Sequence, residues 1–350
     1  EIKRLRKEYL NLFTDLSKRY DSMEWWNSHI ASKNSSSSPL QLNITYLFCA
    51  KKIIDDFIDN QNQKRLIFIA DSRALLESIA ILGAKRNFNI FQHKKRIILI
   101  SYLKLLLLYL ARISVFMWRN YRNRKIAFSI LKPISFNRSI NKKRVLIRSW
   151  ITKGTLNENG VYIDRNFGVL PDWLKSKDYE VMILPMFFNL DMSMKDLYLL
   201  IKKQNVRFLI LDHYLELFDY FKAIYMGWKG INIPLKNISF EKIDLTPLFI
   251  EIQLQEGFGL GALSAYLCYP LLKRLKETGV EIDRFYYPFE NNAPEKLFIM
   301  GCKKYFSDSE VIAFQHTAWY ENQMGMFLGH NEAKYHPIAD KIICSGPIYL

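Results

Sequence analysis

Residues able to move protons or hold anions recur in this sequence just after short apolar runs. Glu290 follows Arg284-Phe-Tyr-Tyr-Pro-Phe289, beside Asn291 and Asn292 and just ahead of a helical pattern. A carboxylate there can accept the proton of an attacking hydroxyl; an acidic residue before a helix also serves as its N-terminal cap. His316 follows Glu310-Val-Ile-Ala-Phe-Gln315. Its imidazole suits a general base, a donor to a phosphate oxygen or a bonded structural histidine. Asp71, Arg148, Asp212, His213, Asn291 and Gln315 stand at or near the ends of the same kind of run and are candidate substrate-binding residues. Glu256-Gly-Phe-Gly-Leu-Gly261 looks like a phosphate loop but follows no clear strand, so it is expected only to open a helix. His330 and His336 flank an acidic loop without further ligands. P-loop, zincin and nucleophile-elbow motifs are absent, and neither a metal nor a cofactor is expected.

The elements that must position these side chains alternate along the chain. Apolar runs at 64–70, 144–150, 180–185, 207–212, 284–289 and 310–315 read as strands. Amphipathic stretches at 73–82, 167–177, 194–204, 261–278 and 294–305 read as helices, as do 1–35 and 40–60 near the N-terminus. Such alternation predicts an α/β fold, a Rossmann-like parallel sheet covered on both faces. Ligands bind at the carboxyl ends of the strands in such sheets, where the polar residues above collect.

The 350-residue chain is 49% apolar and carries a formal charge of +16, concentrated in one place. From Ser78 to Asn157 there is no Asp or Glu but 18 Lys and Arg, so the rest is close to neutral. Within this segment lies the apolar stretch Ile97–Trp118. Lys94, Ser101, Lys104, Arg112, Arg119 and Arg122 share about an 80° arc of its helical wheel. A spanning helix would bury Lys104 and Arg112 at roughly 2–3 kcal/mol each. A helix lying in the membrane interface keeps them wet, and anionic lipid attracts each by about 1 kcal/mol. The expectation is therefore an inserted basic amphipathic helix on the membrane surface, with Lys94, Lys104, Arg112, Arg119 and Arg122 facing lipid headgroups. A spanning helix and a core helix pair with a basic rim are the alternatives. Long aliphatic runs between the basic residues and the lack of a nucleic-acid motif argue against a nucleic-acid partner. Four widely spaced cysteines, three of them in apolar runs, are expected to be buried free thiols in a reducing compartment.

Several blocks together resemble bacterial surface-carbohydrate (O-antigen and capsule) biosynthesis proteins. They are Glu24-Trp-Trp26 with Ser32-Lys-Asn34, Arg148-Ser-Trp150 through Gly160, Tyr162–Gly168, Leu170-Pro-Asp-Trp-Leu174, Tyr287-Pro-Phe-Glu-Asn291 with Glu295-Lys296, and Ala313-Phe-Gln-His-Thr317. The resemblance implies the N-terminal half of a GT-B-like two-domain architecture. The Gln-His pair is also similar to the Trp-His-Gly element of polyol-phosphate polymerases, with Thr317 where that family has Gly.

The resulting expectation is a metal-independent glycosyltransferase at the cytoplasmic face of the bacterial inner membrane. It would take a nucleotide sugar as donor and a lipid-linked or growing surface glycan as acceptor, with Glu290 or His316 as base. A polyol-phosphate transferase and a non-enzymatic assembly protein are the rival readings. The expected organisation is 1–87 N-terminal helices and a first βα unit, 88–141 the membrane-associated insertion, 142–338 the acceptor-side domain, and 339–350 the start of a truncated donor domain. The fragment alone is expected to be inactive.

Overall fold

The structure is a computed structural model that describes residues 2–35, 37–59, 66–88, 90, 98–136, 143–257, 259–318, 320–321 and 323–346. Lys94 lies outside these residues. The chain divides into two compact units.

The first unit comprises residues 1–112, 225–262 and 321–336. Ile2–Tyr20 is a helix because Tyr9, Leu10, Phe13 and Leu16 repeat on one face, and all four are buried. Helices Leu40–Asp59, Arg73–Ala84 and Thr246–Gly257 complete its core around Leu47, Ile54, Leu75, Phe249 and Ile252. Strands β4 (Ser239–Phe240) and β5 (Ile243–Asp244) form a small antiparallel pair in this unit. Trp25 and Trp26 are buried. The Lys33 ammonium meets the Glu332 carboxylate at 2.6 Å, with both side chains fully buried.

The second unit holds residues 113–224, 263–320 and 337–350. Its sheet contains β1 (Arg144–Ile151), β2 (Glu180–Phe187), β3 (Arg207–Phe208), β6 (Arg284–Pro288), β7 (Glu310–Phe314) and β8 (Lys341–Ile343). Every pairing in it is parallel, and the order is β3-β2-β1-β6-β7-β8. Alternation along β1 sends Val145, Ile147 and Ile151 to one face, where Leu174, Leu197, Tyr198 and Ala127 pack over them. On the opposite face Phe285 packs edge-on against Phe298 and Phe306, at 5.8 and 5.3 Å between ring centres. The fold is thus α/β with a mostly parallel sheet. After β1 the chain builds outward through β2 and β3, then returns to lay β6 beside β1 and continues through β7 and β8. The order therefore reverses between β1 and β6, where sheets of this kind leave a crevice at their carboxyl edge.

Four sequence expectations are corrected. Residues 66–70 belong to no strand; Ile67 and Ile69 are exposed, so apolar composition there does not signal a buried sheet position. A run of this kind becomes a strand only where a neighbour supplies the ladder. Of the expected insertion at 88–141, residues 88, 90 and 98–136 are described, and these are divided between the two units and do not form one of their own. Within 98–136, helix Ile98–Ile130 buries Phe116, Asn120 and Ala127, and its second half is a layer of the sheet. Residues 225–262 and 321–336, expected in the acceptor-side domain, belong to the first unit, and β8 pairs with β7, so 341–343 belongs to the same sheet. Cys302 alone of the four free cysteines is fully buried, and Cys49 is exposed.

Candidate functional site at the carboxyl edge of the sheet

The pairing register aligns Leu146 with Phe285 and Tyr287 with Ala313. Continued toward the carboxyl ends, it carries Trp150, Glu290 and His316 to the same edge, and their side chains meet there. The Trp150 indole N–H donates to Glu290 Oε1 at 3.0 Å. His316 Nε2 lies 3.4 Å from the same oxygen. The Asn292 amide donates to Oε2 at 2.8 Å. Burial would raise the Glu290 carboxyl, but the His316 imidazole, the Trp150 N–H and the Arg148 charge outweigh it and hold the group below the usual carboxylate range. Glu290 is therefore an ionised carboxylate with both oxygens engaged. Nε2 faces that carboxylate, so the imidazole is oriented with Nε2 as its N–H. His316 Nδ1 has no hydrogen-bond partner among the described residues.

The loop carrying Glu290 is fixed from below. Helix Ala293–Tyr305 starts at Asn292, and Glu295 in its first turn reaches back to accept from the Glu290 N–H at 3.0 Å and the Asn291 N–H at 2.8 Å. Asn291 takes a left-handed backbone, φ 56°, which lets consecutive N–H groups converge on one carboxylate. The buried Lys296 ammonium donates to the Asn291 carbonyl at 3.2 Å. The cap expected of Glu290 is thus supplied by Glu295, and Glu290 is left to the crevice. Burial pushes the Glu295 carboxyl up to about 8. Arg148 is buried beneath this loop, with its guanidinium over the Phe298 ring at 5.8 Å.

The wall beside Glu290 is aromatic. Phe188, just past β2, is 61% exposed and stands edge-on to Trp150 at 5.8 Å. Asp164 anchors the loop after β1: its carboxylate accepts from Ser149 Oγ at 3.1 Å, Tyr162 OH at 2.6 Å and the backbone N–H groups of Asn166 and Phe167, both at 2.9 Å.

The remaining candidates sit elsewhere. Gln315 ties β7 to the chain after β8, accepting from the Ser345 N–H at 3.0 Å and donating to the Thr317 carbonyl at 3.0 Å. Asp212 and His213 lie in a short helix, Leu211–Tyr214, because β3 ends at Phe208 on the sheet's outer edge. Asp212 accepts from Tyr198 OH at 2.9 Å, and His213 is edge-on to Phe128 at 4.8 Å. Burial raises the Asp212 carboxyl and lowers the His213 imidazole, so both favour their neutral forms relative to water. Asp71 belongs to the first unit and lines a groove of about 670 Å³ with Leu42, Tyr46, Ile53 and Ile69. A second concavity there, of about 650 Å³, is lined by Tyr20, Glu24, Tyr225 and Trp228. Neither contains Glu290 or His316; register and bonding, and not cavity size, single out the sheet edge. Among the described residues no three His, Cys, Asp or Glu are grouped to hold a metal.

Sequence reading missed Trp150, Asn292 and Glu295. Asn292-Ala-Pro-Glu295 has the spacing of a capping box and could have revealed Glu295 as the cap. The Trp150–Glu290 bond joins residues 140 apart and has no local signature.

Helix Ile98–Ile130 has three faces. Tyr109, Phe116, Asn120 and Ala127 are buried within about a 40° arc. Leu103, Leu106, Leu107, Leu110, Trp118, Tyr121 and Phe128 are exposed within about 120°. Lys104, Arg112, Arg119 and Arg122 occupy about 80° on the far side of that apolar face, with exposed Leu108 and Val115 among them. Arg119 also donates to Ser264 Oγ at 3.2 Å. Among the described residues no helix is long and apolar enough to cross a membrane.

Comparison with protein-family models, with curated proteins and with solved structures finds no match to this chain.

Proposed function

We propose that the protein is a glycosyltransferase of surface-polysaccharide assembly that works at the cytoplasmic face of the bacterial inner membrane. The observation that carries this reading is the Trp150–Glu290–His316 group at the strand-order reversal between β1 and β6. Glu290 orients the imidazole; His316 is the base. A hydroxyl of a lipid-linked or growing glycan gives up its proton at Nδ1, a buried atom that the entering acceptor must uncover, as its oxygen bonds to the anomeric carbon of a nucleotide sugar. The bond from that carbon to the phosphate breaks, and the nucleotide leaves with the electron pair. Phe188 and Trp150 offer an apolar wall for the acceptor ring, and Asn292 offers an amide beside it. The blocks that resemble surface-carbohydrate proteins, three of which contain Trp150, Glu290 and His316, support a sugar as the transferred group. A GT-B-like architecture, with the donor held by a further domain, belongs to this proposal.

The three-faced helix Ile98–Ile130 supports membrane attachment. Its exposed apolar arc suits the acyl boundary while its basic arc suits headgroups, an in-plane arrangement.

The test is complementation of a surface-polysaccharide null strain with the full-length gene. His316→Ala abolishes polymer while the protein accumulates at the membrane, and Glu290→Gln reduces it. Full polymer from both variants rejects the enzyme. A phosphodiester in place of a glycosidic linkage in the product rejects sugar transfer in favour of polyol-phosphate transfer.

A further inference from the structure

Helix Leu217–Ile231 carries a second apolar face that the fold leaves uncovered. Leu217, Phe218, Phe221, Tyr225 and Trp228 are each 49–63% exposed. At 100° per residue they occupy about a 100° arc, about three turns long. Tyr220, Ala223 and Met226, on other sides of the wheel, are the buried contacts of this helix. An exposed Leu alone needs no explanation; five large apolar side chains in one stripe do.

Charge indicates what covers the stripe. Lys222 and Lys229 flank the same edge of the arc, with Nζ 5.0 Å from the Phe218 ring centre and 5.3 Å from that of Tyr225. Lys229 is also bonded to Glu24 at 3.1 Å. The acidic residues at the start of the helix are turned away: Arg274 holds Asp219 at 2.9 Å and Glu216 at 2.7 Å. The exposed arc therefore presents Phe, Tyr, Trp and Leu, with Lys222 at the margin near Phe218 and the Lys229–Glu24 pair at the margin near Tyr225. Aromatic rings with a polar tip and long cationic chains that extend to water are the side chains favoured at the lipid–water boundary. Tyr220, on the buried side, stacks edge-on with Phe116 of the basic helix at 6.1 Å. The stripe thus belongs to a helix packed against the one already assigned to the membrane surface.

We propose that helix Leu217–Ile231 is a second membrane-docking element, inserting Phe218, Phe221, Tyr225 and Trp228 into the headgroup region of an anionic bilayer. This rests on the membrane-surface part of the proposed function.

The experiment is vesicle co-sedimentation of the full chain, with phosphatidylcholine vesicles with and without phosphatidylglycerol. Phe218→Ser/Phe221→Ser is compared with Leu107→Ser/Leu110→Ser on the long helix; circular dichroism checks folding. Loss of two inserting rings is expected to weaken partitioning about tenfold or more. Lys222→Glu, a surface change that leaves packing intact, is expected to weaken binding only to vesicles containing phosphatidylglycerol. If Leu107→Ser/Leu110→Ser loses binding while Phe218→Ser/Phe221→Ser and Lys222→Glu bind like wild type, the second anchor is rejected and the first stands. If only the stripe variants lose binding, the second anchor stands and the role of the long helix fails. A wild-type chain that ignores both vesicles overturns both. If light scattering shows a wild-type dimer that Phe218→Ser/Phe221→Ser dissociates without lipid, the stripe covers a second copy of the chain and the proposal is overturned.

Discussion

Glu290 Oε1 is shared by the Trp150 indole and the His316 imidazole, at 3.0 and 3.4 Å. With Oε2 accepting from Asn292, this carboxylate is better built to hold a base than to be one. His316→Ala is therefore expected to cut transfer by roughly 10²–10⁴-fold, the range for a lost general base. Glu290→Gln keeps the shape but replaces the carboxylate that orients the ring, and roughly a 10–100-fold loss is expected, as for other carboxylates that orient a histidine. Polymer yield at matched protein level reads both. Equal losses in the two variants would return the base role to Glu290.

Trp150→Phe keeps the ring and removes the N–H. It is expected to lower activity about tenfold and to cost up to about 1.5–3 kcal/mol of stability, the contribution of a hydrogen bond to a charged group, while the packed ring is retained. Phe188→Ala acts on the acceptor. At 61% exposure the ring contributes little to the core, so the melting temperature should not move, while more acceptor is needed for half-maximal rate. An unchanged acceptor dependence would remove Phe188 from the site.

How far these residues could be read from sequence depends on the range of the interaction. The runs that became β1, β2, β6 and β7 are short, apolar and bounded by turns, so both they and the polar residues that follow them were legible. The run at 66–70 has the same composition but no strand beside it, and pairing is not a local property. Likewise Lys341–Ile343 reads as a strand, but only the β7 ladder shows which sheet it joins. Asp212 and His213 follow an apolar run as Glu290 does. They miss the crevice because β3 stops after two residues on the sheet's edge. The Ser32-Lys33-Asn34 block stands out only as part of the family resemblance, and nothing local shows that Lys33 pairs with Glu332, 299 residues away.

That pair supports a stability prediction. Lys33→Met leaves Glu332 buried without its main counter-charge, which is expected to cost about 3–5 kcal/mol. Adding Glu332→Leu removes the stranded charge and should recover much of the loss. Burial alone would raise Glu332, but the His336 and Lys33 contacts bring it down to about 2. A depressed carboxyl contributes stability that is present above its ordinary value of 4.5 and is lost as pH falls from there toward 2. Urea titrations of wild type and both variants across this range test the assignment. A double variant no more stable than Lys33→Met would refute it.

Two buried carboxyls bend the pH profile the other way. Glu256 in the first unit accepts from the Ile30 N–H at 3.2 Å, and Glu295 caps the loop under Glu290; burial raises each to about 8. In both cases the folded state binds the proton more tightly than the unfolded chain, whose value is near 4.5. Their contribution to stability is fully present below 4.5, declines as pH rises, and is lost by the time pH passes about 8. Melting temperature should therefore fall between pH 5 and 8, over which acid loss from ordinary surface carboxylates has ended. Glu256→Gln and Glu295→Gln, which stay neutral throughout, should each flatten part of that slope. Glu295→Gln keeps one acceptor for the two N–H groups of the Glu290 loop, so it should also retain activity at neutral pH better than Glu295→Ala. A wild-type slope unchanged in both Gln variants would mean that neither carboxyl holds its proton in the folded protein.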